Sequence, residues 1–157
     1  METWIRPDMV AEGLWVGSAP RTIEDFALLQ SLGITDVVTL QTEEEALNHG
    51  LHPTVAFGLA LEHGMSLHRN PIIDFDRNSL LHGVPAARDV IASLLQRGRS
   101  VYVHCAAGMN RSPTVAAAVL AADGTLSPEH ACRELVRRHP SQPDEGVVRF
   151  VTTGKLR

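Results

Sequence analysis

The stretch from Ser100 to Ala122 restricts the fold of this chain more than any other. It opens as SVYVH, a short run with β-branched Val101 and Val103, the pattern of a buried strand. The run stops at CAAGMNRSP, where Gly108 supplies a conformationally permissive position. A helical pattern follows from Ser112 to Ala122, with Ser112 and Pro113 placed as N-cap and first helical residue. A strand that feeds a helix through so short a loop belongs to alternating α/β architecture.

The remaining segments agree with that architecture. Leu14–Val16 is a short apolar run before the turn residues Gly17, Ser18 and Pro20. Thr22 is placed to cap a helix carrying Ile23, Phe26, Leu29 and Gln30, which Gly33 ends. Asp36 to Leu40 (DVVTL) reads as a strand, and the EEE run after Thr42 as a helix start whose charges lie on a solvated face. Further helices are expected at Pro53–Gly64, Val84–Gln96 and Pro128–Arg138, the second ended by Gly98. A short strand is expected at Met65–His68, then an irregular loop at Asn70–Asn78, with the helix that carries Val84–Gln96 running from Ser79 onward. No internal repeat, low-complexity tract or linker interrupts the pattern. The expectation is a single three-layer α/β domain over residues 1–157, with a mostly parallel central sheet flanked by helices.

The same loop meets a chemical specification. A phosphate dianion is held by several backbone N–H groups converging on one point, which needs a tight loop running into a helix N-terminus. Ala106, Ala107, Gly108, Met109, Asn110 and Arg111 provide that loop, and the two alanines are too small to obstruct an approaching ester. The field that binds phosphate also favours a thiolate, so Cys105 is the candidate nucleophile. Arg111 offers a planar fork for two non-bridging phosphate oxygens. Cys132 and Arg138 have the same spacing but lie in HACRELVRRH, an uninterrupted helical pattern, so Cys132 is read as a small core residue.

Breaking a phosphate ester also needs a proton for the leaving oxygen, which a carboxylic acid on a movable loop can donate. Asp74 and Asp76 lie in NPIIDFDRNS, 31 and 29 positions before Cys105. Asp74 is favoured as the acid, and Asp76 as a cap on the next turn.

Composition closes off other classes. The chain has 157 residues, 44% of them hydrophobic, enough for one core and too few for a second domain. Its formal net charge is -4 and its 14 basic residues are scattered, which argues against a nucleic-acid or polybasic membrane partner. No apolar run approaches the ~20 residues of a spanning helix, and METWIRPDMVAEG lacks a signal-peptide pattern. A cytoplasmic monomer is expected, with free thiols at Cys105 and Cys132. The eight histidines form no metal-binding pair, so neither a metal nor another cofactor is expected. Aromatic residues are few, and Trp4 and Trp15 are expected in core or edge packing rather than as a glycan platform.

The nine-residue segment HCAAGMNRS resembles the phosphate-binding loop of the protein tyrosine phosphatase superfamily, and its place late in a short chain resembles the dual-specificity branch. The resemblance extends over most of the chain and implies the dual-specificity phosphatase fold. It implies that Cys105 attacks phosphorus to form a thiophosphate intermediate, that Arg111 clamps the phosphoryl group, and that Ser112 helps the thiolate leave. His104 would organise the loop by hydrogen bonding, and the acid would lie upstream where Asp74 is. GSAPRTIEDFALLQSLGITDVVTLQTEEE, IIDFD and CAAG together resemble the glucan-phosphatase branch, the laforin-like and plant glucan phosphatases. The implied substrate is a phosphoprotein bearing phosphotyrosine, phosphoserine or phosphothreonine, with a glucan or other phosphate ester as the alternative. A silent phosphate-binding module should have lost the nucleophile, clamp or acid. A rhodanese-type sulfurtransferase would need neither Ser112 nor the aspartate loop.

Overall fold

The β-branched runs become strands of one sheet in the computed structural model, which describes residues 3–154. The outermost residues of the expected 1–157 domain lie outside the described residues. The strands are β1 (Asp8–Ala11), β2 (Leu14–Gly17), β3 (Asp36–Thr39), β4 (Ser66–Arg69) and β5 (Val101–His104), in the order β1-β2-β5-β3-β4. β2, β5, β3 and β4 run parallel, and only β1 is antiparallel to its neighbour β2. The helices among the described residues are α1 (Ile23–Ser31), α2 (Glu43–His49), α3 (Pro53–Glu62), α4 (Arg77–Gln96), α5 (Arg111–Ala121), α6 (Pro128–Arg138) and α7 (Glu145–Thr153).

Alternation along the strands divides the core between two faces. Leu14, Val16, Val38, Val101 and Val103 point to one side, where they meet Val84 and Ile91 of α4, Val115 and Ala116 of α5, Leu135 of α6 and Val147 of α7. Val37 and Tyr102 point to the other side, against Phe26 and Leu29 of α1 and Ala60 of α3. The result is the three-layer α/β arrangement expected from the sequence.

Two helix starts differ from their sequence expectation. α4 begins at Arg77, two residues ahead of the expected Ser79, because the Asp76 side chain accepts from Ser79 N at 3.0 Å and caps it. The helix then continues through Gly83 and Pro85, both poor helix residues. Gly83 has a packing reason to be there: a Cβ at that position would come within 2.5 Å of Ile72 Cγ1. α5 begins at Arg111, with Asn110 at the N-cap and no side-chain cap, whereas the sequence placed Ser112 at that cap. The Ser112 hydroxyl is engaged elsewhere. Neither β1 nor α7 was assigned from the sequence.

Candidate active site

Three parallel strands end at one edge of the sheet, where Gly17 of β2 and Thr39 of β3 flank His104 of β5. The loop of residues 105–110 leaves from that edge and runs directly into α5. Gly108 makes its tight turn at φ +72°, and a Cβ there would stand 2.7 Å from the carbonyl carbon of Gly17. Glycine is required on both counts.

Hydrogen bonds from outside fix the loop through its carbonyls. His104 Nδ1 donates to Cys105 O at 2.9 Å, Ala19 N to Ala106 O at 3.0 Å, His139 Nε2 to Gly108 O at 2.6 Å and Gln142 N to Met109 O at 2.7 Å. In a trans peptide the carbonyl and the next amide point in opposite directions. With those four carbonyls turned outward, the amides of Ala106, Ala107, Met109 and Asn110 turn inward, and none of them has an acceptor among the described residues. A nest of free amides at a helix N-terminus is an anion site.

Cys105 stands at the base of this nest, 3% exposed, with its Sγ 3.3 Å from Ser112 Oγ. The Ser112 hydroxyl also lies 3.3 Å from Gly17 O, so its single proton is available to either acceptor. His104 is buried beneath the loop; burial, with the nearby Arg111 charge, pushes it down to about 4 and keeps the ring neutral at pH 7. Its Nδ1 faces a carbonyl, so that nitrogen carries the proton.

The Arg111 side chain is 2% exposed and held from three directions. Nη1 donates to Glu45 Oε1 and to Ile72 O, both at 2.8 Å, and Nη2 donates to Glu45 Oε2 at 2.5 Å. Glu45 takes one edge of the guanidinium. The other edge, Nε–H and the second Nη2 hydrogen, stays available: Nε has no hydrogen bond and only the Asp74 carboxylate 3.3 Å away. Burial alone would lower Arg111 and raise Glu45, yet their mutual hydrogen bonds and charge shift both the opposite way, holding the pair ionised.

Glu45 is a correction to the sequence reading, which put the whole EEE run on a solvated face. Glu43 and Glu44 are exposed, but Glu45 turns inward to Arg111. The available signal was the spacing Thr42-x-x-Glu45, a capping box, which the structure contains. His139 was also missed, since nothing local in RRHPS marks a residue that reaches Gly108.

The two candidate acids part company. Asp74 sits in the cleft beside Arg111 with about a third of its side chain exposed, while Asp76 caps α4. Between them Phe75 adopts φ +58°, an uncommon left-handed conformation for a bulky residue, and its side chain is fully exposed at the cleft mouth. Asp74, Phe75, Cys105, Met109, Arg111 and Gln142 line an open cleft of about 410 Å³. Cys132 belongs to a separate cluster with Ala117, Ala121, Ala131 and Val148. There burial, with the charges of Glu145 and Asp144, pushes its thiol up to about 11. Of the two tryptophans expected in core or edge packing, Trp15 is partly buried and Trp4 is 63% exposed, outside the core. Its backbone N donates to Asp25 Oδ1, which ties down the main chain and leaves the indole outside.

Among the described residues no three His, Cys, Asp or Glu side chains converge as a metal site requires, and no helix is long and apolar enough to cross a membrane. Residues 14–145 match the family described as dual specificity phosphatase, catalytic domain. Mouse (Mus musculus) laforin is 31% identical over 114 residues, 66% of this chain and 34% of laforin. The amyloplastic phosphoglucan phosphatase DSP4 of Castanea sativa is 32% identical over 119 residues, 74% of this chain and 30% of that protein. The chain thus spans about a third of the length of these curated relatives. Among solved structures, kinase associated phosphatase superposes with a TM-score of 0.76 at 20% identity, covering 96% of this chain and 93% of that one. PTPMT1 in complex with PI(5)P gives 0.77 at 19% identity, covering 96% of each chain.

Proposed function

The chain belongs to the dual specificity phosphatase catalytic-domain family, and from that premise we propose that it hydrolyses phosphate monoesters through a phosphorylated Cys105. The observation that carries this reading is the convergent donor set around Cys105: four inward amides and the Arg111 edge that Glu45 leaves available. These donors match a phosphoryl group whose equatorial oxygens gain charge in the transition state.

In the first step the Cys105 thiolate attacks phosphorus and the ester P–O bond breaks. Asp74 gives its proton to the departing oxygen, and Arg111 and the loop amides hold the three remaining oxygens. In the second step water attacks the thiophosphate, Asp74 takes a proton from it, and the S–P bond breaks. Ser112, 3.3 Å from the sulfur, donates to the leaving thiolate. Inorganic phosphate and the starting enzyme result.

The open cleft admits aryl and alkyl phosphates alike, which suits phosphotyrosine, phosphoserine and phosphothreonine in protein substrates. A phosphoglucan is the second reading, favoured by the similarity to the phosphoglucan phosphatase DSP4 and by the exposed Phe75 ring at the cleft mouth, a surface on which a sugar can stack. Purified protein should be assayed on p-nitrophenyl phosphate, phosphopeptides and phosphoglucan. Wild type and Cys132→Ser should turn over, and Cys105→Ser should not, while still binding vanadate in the amide nest. An active Cys105→Ser would overturn the reading.

A further inference from the structure

The sheet register sets three polar residues side by side where the strands end: Arg69 of β4, Thr39 of β3 and His104 of β5. Residues paired in register share a face, here the one covered by α1 and α3. All three line a pocket between that face and the helices, whose other walls include Phe26, Leu51, Ala56 and Leu67. No carboxylate lines it, and none of its residues lines the catalytic cleft. His104 is 4% exposed and commits its Nδ1 proton to Cys105 O, so the polar atom it presents to the pocket is Nε2, an acceptor. Nε2 has no hydrogen-bond partner among the described residues, which is costly for a buried polar atom unless a donor meets it. The Thr39 hydroxyl accepts from Gln41 N at 3.4 Å and keeps its own proton for a second partner. Arg69 is exposed and has neither a hydrogen bond nor an ion pair among the described residues.

We propose that this pocket is a ligand site separate from the phosphate loop, and that it takes a short 2-hydroxy carboxylate with a small alkyl tail. Neighbouring strands lie about 4.8 Å apart, so Thr39 and His104 are spaced for a carboxylate and a hydroxyl on adjacent carbons. The ligand hydroxyl donates to His104 Nε2. The carboxylate accepts from Thr39 and pairs with the Arg69 guanidinium, which reaches over from the next strand. The alkyl tail meets Phe26, Leu51 and Leu67. The centre of a water-sized body has only about 20 Å³ to move in there, which limits the occupant to a few carbons. Because His104 also holds Cys105 O, occupancy is felt at the first peptide of the phosphate loop.

The test titrates 2-hydroxyisobutyrate into the full chain and follows backbone amides by nuclear magnetic resonance. No turnover is measured, so the result stands apart from the phosphatase reading. The compound should bind with a Kd of about 10 mM or tighter, the scale for a ligand of so few atoms. Shifts should centre on Thr39, Ala56 and Leu67 and extend to the Ala106 amide, whose peptide carbonyl is the one His104 holds. Isobutyrate lacks the hydroxyl and 2-hydroxyisobutyramide lacks the charge, and each should bind at least about threefold more weakly. Arg69→Ala, at an exposed position, should weaken binding of 2-hydroxyisobutyrate by a similar factor. Ala56→Leu, which fills the pocket from α3, should abolish it. The absence of a saturable shift, equal affinity for isobutyrate, binding undiminished in either variant, or shifts centred on residues 107–110 would each overturn the site.

Discussion

Glu45 spends both carboxylate oxygens on Arg111 and with one of them also completes the cap of α2. Removing one partner of a pair this buried leaves an uncompensated charge, so Glu45→Gln should cost about 3 kcal/mol in urea denaturation. It should also lower kcat/KM at least about tenfold, because Arg111 loses the contact that fixes its free edge toward the loop. An unchanged kcat/KM would show that Ile72 O alone orients the guanidinium. His104 gives a pH prediction. Its folded-state value of about 4 lies below the ordinary 6.5, so the unfolded chain binds more protons between those limits, and stability rises with pH across that window. Wild type should gain about 3 kcal/mol more than His104→Asn from pH 4 to 6.5, by urea denaturation at each pH. Parallel pH curves for the two would place the ring in a wetter site. Residues whose role depends on near neighbours were legible: Cys105, Arg111 and Ser112 stand in one short segment that advertises its chemistry. Glu45 and His139 were not, since their partners lie 66 and 31 positions away and only the fold brings them together.

The segment between β4 and α4 gives its two aspartates different tasks. Ile72 is fully buried, Gly83 of α4 packs directly against it, and its carbonyl meets Arg111, so Asp74 is aimed by the residues just before it. Asp76 ends the loop by capping the helix. Asp76→Ala should therefore cost about 1 kcal/mol of stability with a small change in rate. Asp74→Asn should leave stability almost unchanged. Its rate loss should be much larger on alkyl phosphates, whose alkoxide leaves poorly without a proton, than on p-nitrophenyl phosphate. A loss independent of leaving group, or a selective loss in Asp76→Asn, would move the acid role to Asp76. The strands and most helices could be read from β-branched runs and helical spacing. The start of α4 was read two residues late, at Ser79, because the cap comes from Asp76 three residues earlier, and Gly83, a poor helix residue by local propensity, is there because it packs against Ile72. β1 escaped notice for a different reason: its four residues, with only Val10 buried, carry too little alternation to stand out.

Across the whole molecule, the sheet order places the ends of β2, β3 and β5 side by side, and the residues of the proposed chemistry are gathered at that edge. The class of fold was legible because each buried strand alternates with a helix. The antiparallel β1 was not, and it is tied to the end of α6 by the contact of Asp8 with His139, 131 positions away. The parallel pairing of β2 with β5 sets Leu14 opposite Val101, so the cradle of the phosphate loop joins distant parts of the chain. Closing such a long loop is entropically slow, whereas helices form from local contacts. On dilution from denaturant, the far-ultraviolet helical signal should recover first, and phosphatase activity and vanadate binding should return together in a later phase. Simultaneous recovery of all three signals would mean that the sheet closes as early as its helices form. The β2–β5 pairing thereby acts as a checkpoint during synthesis: the nascent chain has no assembled anion nest until β5 has emerged from the ribosome and found a strand made long before it.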